Sequence, residues 1–339
     1  MRAAVITEPG VLQIVETPDP TPGRYQALAR MLACATCSAT DLKILDGKFG
    51  PTDYPVILGH ESVGEIIEVG ERVTAFQPGD HVLRPCAAYP GDKLGEYCSG
   101  WGGFAELGLV TDTQAQIADG LQPPGYAQYQ QPVPTAMAPA DATMLITLKE
   151  TLSWLQELGL RPDQSALIIG DGTVGLTFAH WAKVLGARTV AVAGHHEDRL
   201  QRALKVGADL AINSRQQDLT DVLQSAGGPA KFDVVIDCVG GSEALHQAMA
   251  LVAPGGAVSP YGTQPPKKYP VNFGLGGGRY RIQFAYGGER RVHGQMLDAV
   301  RLGLVEPSDY YSHQVPLEEA PRAFEMLRSR EALKAVVRF

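Results

Sequence analysis

The chain has 339 residues, a length that favours two domains and leaves ample room for a buried core. Hydrophobic residues make up 45% and charged residues 19%, with 38 Gly and 24 Pro, a composition that excludes a disordered, collagenous or coiled-coil chain. A net charge of −8, from 29 basic against 37 acidic residues and with no clustered basic stripe, argues against nucleic acid as a partner.

The opening segment MRAAVITEPG enters a short strand and meets a Pro-Gly turn, and no apolar run approaches the roughly 18 residues of a membrane span. No membrane partner is expected. Cys34, Cys37, Cys86, Cys98 and Cys238 are odd in number and irregularly spaced, which argues against a disulfide framework and for a reducing compartment. A soluble cytoplasmic protein is expected.

From residue 1 to about 140, short β-rich runs alternate with Gly and Pro: Ala3 to Thr7, Leu12 to Glu16, Ala27 to Ala33, Ser62 to Val69 and Phe104 to Val110. This spacing predicts a barrel-like β domain. Residues 119–140 hold Pro, Gln and Tyr without periodicity and read either as a functional loop or as an excursion at a domain edge. Beyond them strands and helices alternate. A helix is expected around 143–158, a strand over Ala166 to Ile169, a helix from Val174, a strand over Thr189 to Ala193 and a helix from Asp198. Strand Asp209 to Ile212, helix Leu219 to Gln224, strand Asp233 to Asp237, helix Ser242 to Leu251, strand Ala257 to Tyr261 and strand Arg281 to Tyr286 follow. Continuous apolar strands between helices are the pattern of an α/β doubly wound parallel sheet, buried on both faces. Amphipathic helices near 290–303 and 318–328 precede a last strand, Lys334 to Phe339, expected to return to the first domain.

Gly170, Gly172 and Gly175 in ALIIGDGTVGL have G-x-G-x-x-G spacing between an apolar strand and a helix, around Thr173 and Val174. The glycines permit a tight turn, close approach of a pyrophosphate and close helix packing, and the helix N-terminus receives the anion. About 20 residues on, where an NAD site offers a carboxylate to the ribose, stands Gly194, followed by His195, His196 and Arg199. These groups suit a 2′-phosphate, so NADP(H) is favoured over NAD(H). The alternative is a solvated loop and an enzyme that accepts both cofactors.

Residues 59–73, GHESVGEIIEVGERV, are followed by Pro78, Gly79 and Asp80, and GGFAE occupies 102–106. Together with the strand–turn–helix just described, this resembles the zinc-type medium-chain dehydrogenase/reductase superfamily over essentially the whole chain. The resemblance implies a GroES-like catalytic domain, here 1–145 plus 291–339, a Rossmann domain over 146–290, and a cleft between them. It also implies hydride transfer between a nicotinamide and an alcohol or carbonyl, and homodimers or homotetramers built through the Rossmann domains. By analogy His60 binds one catalytic Zn²⁺, with Glu61 beside it. Thr40 resembles the hydroxyl that relays the substrate proton, and Asp41 the carboxylate that orients the histidine. A helix N-cap is the other role open to Thr40.

Two departures bear on the metal. Cys37-Ser38-Ala39-Thr40-Asp41 replaces the family's C-x-[ST]-D, so either Cys37 is carried into the site by a one-residue insertion or the thiolate is lost. Ile146, about 24 residues before Gly170, stands where a third ligand is usual. The expected metal set is therefore Cys37, His60 and Glu61, a thiolate, imidazole and carboxylate that suit tetrahedral zinc, with Cys86 either a second substitute or a buried structural cysteine. The segment 86–98 supplies only Cys86 and Cys98, so no structural zinc is expected. Tyr89, Tyr97 and Trp101 border a substrate pocket or pack. The expected function is a zinc-dependent NADP(H) oxidoreductase of a secondary alcohol, polyol or sugar-like substrate. A zinc-free carbonyl or enone reductase and an NADPH-binding protein without turnover are the alternatives.

Overall fold

In the run QALARMLACA, small apolar side chains recur at every second position, and it forms the strand Gln26–Ala35 with that alternation buried. Its neighbours build a seven-stranded sheet, ordered Pro132–Val133, His81–Leu83, Glu61–Val69, Gln26–Ala35, Ala335–Arg338, His313–Pro316, with Leu107–Thr111 also paired to Gln26–Ala35. A five-stranded sheet, ordered Val11–Glu16, Arg2–Glu8, Val56–Ile57, Tyr97–Ser99, Lys93–Leu94, belongs to the same unit. This computed structural model describes every residue except 50–51, 218, 226–227, 263–269, 273 and 286.

The chain divides into two compact units, Met1–Ile146 with Tyr311–Phe339, and Thr147–Tyr310. The second holds six parallel strands ordered Leu210–Asn213, Thr189–Gly194, Ser165–Ile169, Phe232–Asp237, Val252–Pro260, Arg281–Ile282. Numbered along the chain this is 3-2-1-4-5-6, the dinucleotide-binding order. Its central strands Ser165–Ile169, Thr189–Gly194 and Phe232–Asp237 are almost wholly buried, and the helices Thr173–Val184, Glu197–Lys205, Leu219–Ser225 and Ser242–Leu251 connect the strands. One core joins Leu167, Ala191, Ile212 and Val235 to Leu245 and Met249.

Three expectations are revised. The chain re-enters the first unit at Tyr311 rather than near 291. The helix His293–Arg301 stays with the second unit, where Gln295 accepts from Gln156 at 2.9 Å and His293 Nδ1 lies 3.4 Å from Lys149 Nζ. The sixth strand spans only Arg281–Ile282, and the expected end at Tyr286 lies outside the described residues. Segment 119–140 is built into the first unit, with a 3₁₀ turn at Gly125–Tyr129 and the strand Pro132–Val133. Among the described residues no helix is long and apolar enough to cross a membrane.

Candidate active site

Strand register gathers the ionisable groups of the first unit. Ala35 pairs with Glu61 on one side and with Val336 on the other, so the chain leaving the strand at Ala35 is flanked by Glu61 and by Lys334. Thr36 locks this end: its N–H and hydroxyl donate to the Ala335 carbonyl at 2.9 and 3.0 Å, and its oxygen accepts from Ala335 N at 3.1 Å. Cys37 follows at once. The next helix, Asp41–Leu45, begins with a fully buried carboxylate whose Oδ2 accepts from Cys37 N at 2.9 Å and whose Oδ1 lies 3.3 Å from His60 Nδ1. Asp41 thus ties the Cys37 turn to the His60 ring and leaves Nε2 facing Glu61 Oε1, 3.8 Å away.

One ligand atom from each of Cys37, His60 and Glu61 lies within 4.8 Å of the others. Glu61 Oε2 accepts from the buried ammonium of Lys334. Burial disfavours the Lys334 charge, but Glu61 and Cys37 outweigh it and raise its pKa. Burial likewise lowers the His60 pKa, yet Asp41 and Cys37 hold it well above the usual value. Asp41, Glu61, the His60 imidazole and the Cys37 thiol gather beside the Lys334 ammonium, and a divalent cation displacing the protons of His60 and Cys37 would be held by imidazole, thiolate and carboxylate. The donor set fits zinc.

The Trp101 ring packs on His60 with centroids 5.1 Å apart and meets Phe49 edge-on at 6.4 Å. Its backbone has φ of +71°, a conformation costly for a bulky residue, and Ser99 Oγ accepts its N–H at 3.1 Å. Thr40 stands at the N-cap of the Asp41–Leu45 helix, yet its side chain makes no capping bond.

In the second unit, Gly172 caps the helix Thr173–Val184 without a side chain, and a Cβ there would meet nothing within 4 Å. Gly175 must lack a Cβ, which would fall 1.9 Å from the Gly170 carbonyl oxygen. The open turn at a 12-residue helix's N-terminus fits a pyrophosphate. At the end of the adjacent strand, Asp171 accepts from the N–H groups of His195 and His196 at 2.6 and 2.7 Å and faces His196 Nδ1 at 3.0 Å. Burial pushes the Asp171 carboxyl up, but these donors more than offset it and hold the pKa below the usual range. Gly194 is required here because a Cβ would lie 2.4 Å from Asp171 Cβ. The expectation of a strand end without a carboxylate is therefore corrected: Asp171 fills the space beside Gly194. His195 is exposed, His196 has turned Nδ1 to Asp171, and Arg199 is buried.

Residues 23–119 match the alcohol dehydrogenase GroES-like domain and residues 173–300 the zinc-binding dehydrogenase domain. The NADP-dependent isopropanol dehydrogenase of Clostridium beijerinckii is 30% identical over 251 residues, covering 72% of this chain and 71% of that protein. The chain belongs to the zinc-type medium-chain dehydrogenase/reductase superfamily. An alcohol dehydrogenase of Cupriavidus necator is 26% identical over 356 residues, 97% of this chain and 96% of that one. The solved alcohol dehydrogenase TADH from Thermus sp. ATN1 covers 100% of both chains with a TM-score of 0.83 at 27% identity. The protein is an alcohol dehydrogenase-type oxidoreductase acting on small molecules.

Within this superfamily frame, the structure brings Cys37, Asp41, His60 and Glu61 together, while Ser38 is exposed and Ile146 is a buried apolar residue. Cys86 is no substitute ligand: it is buried with Tyr89, Leu109 and Ala127, and burial raises its thiol pKa far out of reach. Of the three aromatics, only Trp101 meets His60. Tyr89 is buried, its hydroxyl bonded to Thr111 and Gln130, and the Tyr97 hydroxyl reaches the Glu16 carbonyl. Sequence reading missed Lys334 and the carboxylate of Asp171. The Asp inside the glycine turn was a visible signal; Lys334, 273 residues from Glu61, offered none.

Proposed function

We propose that the chain is a zinc-dependent NADP(H) oxidoreductase that interconverts a secondary alcohol, polyol or sugar-like substrate and the matching ketone. The observation that carries this reading is the convergence of one ligand atom each from Cys37, His60 and Glu61 within 4.8 Å of one another. Those three side chains would hold the metal, which when bound supplies a Lewis acid for the substrate oxygen. Asp41, facing Nδ1, orients the His60 ring and directs Nε2 to the ligand set. The Thr40 hydroxyl, unused as a cap, would accept a hydrogen bond from the alcohol and relay its proton to the cofactor ribose and solvent. Trp101 and Phe49 present aromatic surface to the substrate and exclude water.

Gly170, Gly172, Thr173, Val174 and Gly175 receive the pyrophosphate. Gly194, His195, His196 and Arg199 form the adenosine ribose end. The preference for NADP(H) rests on Gly194 carrying no carboxylate of its own and on His195 standing exposed beside it; the Asp171 carboxylate, drawn to two backbone N–H groups and His196, works against it. The isopropanol dehydrogenase relative carries the same cofactor in its name. Five free cysteines suit the cytoplasm. The edge strand Arg281–Ile282, with Ile282 and Phe284 exposed, supports a homodimer or homotetramer, which sedimentation would read.

Steady-state kinetics over a panel of secondary alcohols, polyols and ketones with both cofactors tests the proposal. At least a tenfold higher kcat/KM with NADP(H) is expected. A preference for NAD(H) would refute the cofactor reading, and absence of turnover across the panel the substrate class.

A further inference from the structure

Adjacent residues of an extended chain point to opposite faces, so His60 and Glu61 reach one ion only if the peptide between them is turned and held. Gly59 has φ of +108° and the strand begins only at Glu61, which supplies the turn. What holds it comes from Arg84, whose Nη1 donates to the His60 carbonyl, the oxygen of that connecting peptide, at 3.1 Å.

Arg84 is itself built in. Only 7% exposed, its guanidinium carbon lies 5.7 Å from the Tyr126 ring centroid and 5.6 Å from that of Tyr129. The two rings stand edge to face, 6.3 Å apart. Its backbone has φ of +59°, donates to the Ser62 carbonyl at 2.7 Å and accepts from Gln130 Nε2 at 3.0 Å. Gln130 also accepts from Thr111 N and Tyr89 and donates to Leu109 O, anchoring segment 119–140 to the sheet. A planar guanidinium stacks on aromatic faces while its edge donates, a combination that lysine cannot reproduce.

We infer that Arg84, held by Tyr126 and Tyr129, is a positioning residue that fixes the His60–Glu61 peptide so that both side chains converge on one metal ion. This rests on the metal reading above. It assigns segment 119–140 a role: it supplies the two rings that set the guanidinium's direction. Partners that orient ligands typically contribute 10–100-fold to metal affinity.

The test uses the full chain and Co²⁺, whose d–d bands report thiolate ligation, titrated against a competing chelator. Arg84→Met should bind Co²⁺ about 10–100-fold more weakly with shifted bands. Arg84→Lys should recover only part of the affinity, and Tyr126→Leu/Tyr129→Leu should weaken binding in the same direction. Arg24→Met, which removes a comparable cation from the Tyr25 ring away from His60, should match wild type. If Arg84→Met fails to fold, Arg84→Lys and the tyrosine pair decide the question. Wild-type affinity and bands in the Arg84 and tyrosine variants would overturn the inference and leave the metal reading standing. A wild-type chain that takes up no Co²⁺ overturns both.

Discussion

Lys334→Met is the most informative single substitution around the candidate metal site. The Lys334 and Glu61 side chains are each only 6% exposed, so the variant strips a buried carboxylate of its cationic neighbour. Breaking such a pair costs about 3–5 kcal/mol, because the remaining charge stays desolvated. For a unit of this size that corresponds to a fall in Tm of roughly 6–20 °C. Thermal and urea unfolding in the presence of a chelator should show this loss. Lys334→Met/Glu61→Gln should recover most of it, since both charges are then gone and the cycle isolates their coupling. Added zinc should narrow the deficit of the single variant by restoring positive charge beside Glu61. A Lys334→Met chain within about 1 kcal/mol of wild type would show that the carboxylate is adequately solvated and would refute the charge argument.

Cys37→Ser should abolish metal uptake and turnover, whereas Cys98→Ser, a change on the strand Tyr97–Ser99, should affect neither; metal analysis and kinetics read both. Asp171→Asn should cost about 1.5–3 kcal/mol at neutral pH. Because the Asp171 pKa is lowered by folding, its contribution is complete above the ordinary aspartate value near 4 and vanishes as pH falls through the lowered one. Urea titrations from pH 7 downward should therefore show the wild-type advantage shrinking in acid, and a constant difference would contradict the assignment. Trp101→Ala removes the ring packed on His60 and should raise KM for bulky apolar alcohols more than for small polar ones, as an alcohol panel would reveal.

Legibility followed the range of the interactions. The parallel sheet was readable because apolar runs such as Ala166 to Ile169 and intervening helices are local periodicities, and the Ser242–Leu251 helix falls where its pattern predicts. The glycine turn was readable for the same reason. The helix His293–Arg301 was visible by period, but amphipathicity says only that one face is buried and not in which unit, hence the misplaced boundary. At position 194 the sequence shows a glycine without an acidic side chain; the structure shows a carboxylate arriving from Asp171, 23 positions earlier, into the space that glycine leaves. Tyr89, Tyr97 and Trp101 look alike as aromatics in one short stretch. Only the tertiary fold decides that Tyr89 faces Gln130, Tyr97 faces Glu16 and Trp101 faces His60. Lys334 and Arg84 act through partners distant in sequence, and no local pattern records such pairings.

Zinc analysis of protein purified without chelator, with activity followed through metal removal and return, tests the central claim most directly. The donor set of Cys37, His60 and Glu61 predicts about one ion per chain, easily stripped, with turnover lost on removal and regained on adding zinc. Metal-free protein that retains full activity would contradict the account and leave the zinc-free carbonyl or enone reductase in its place.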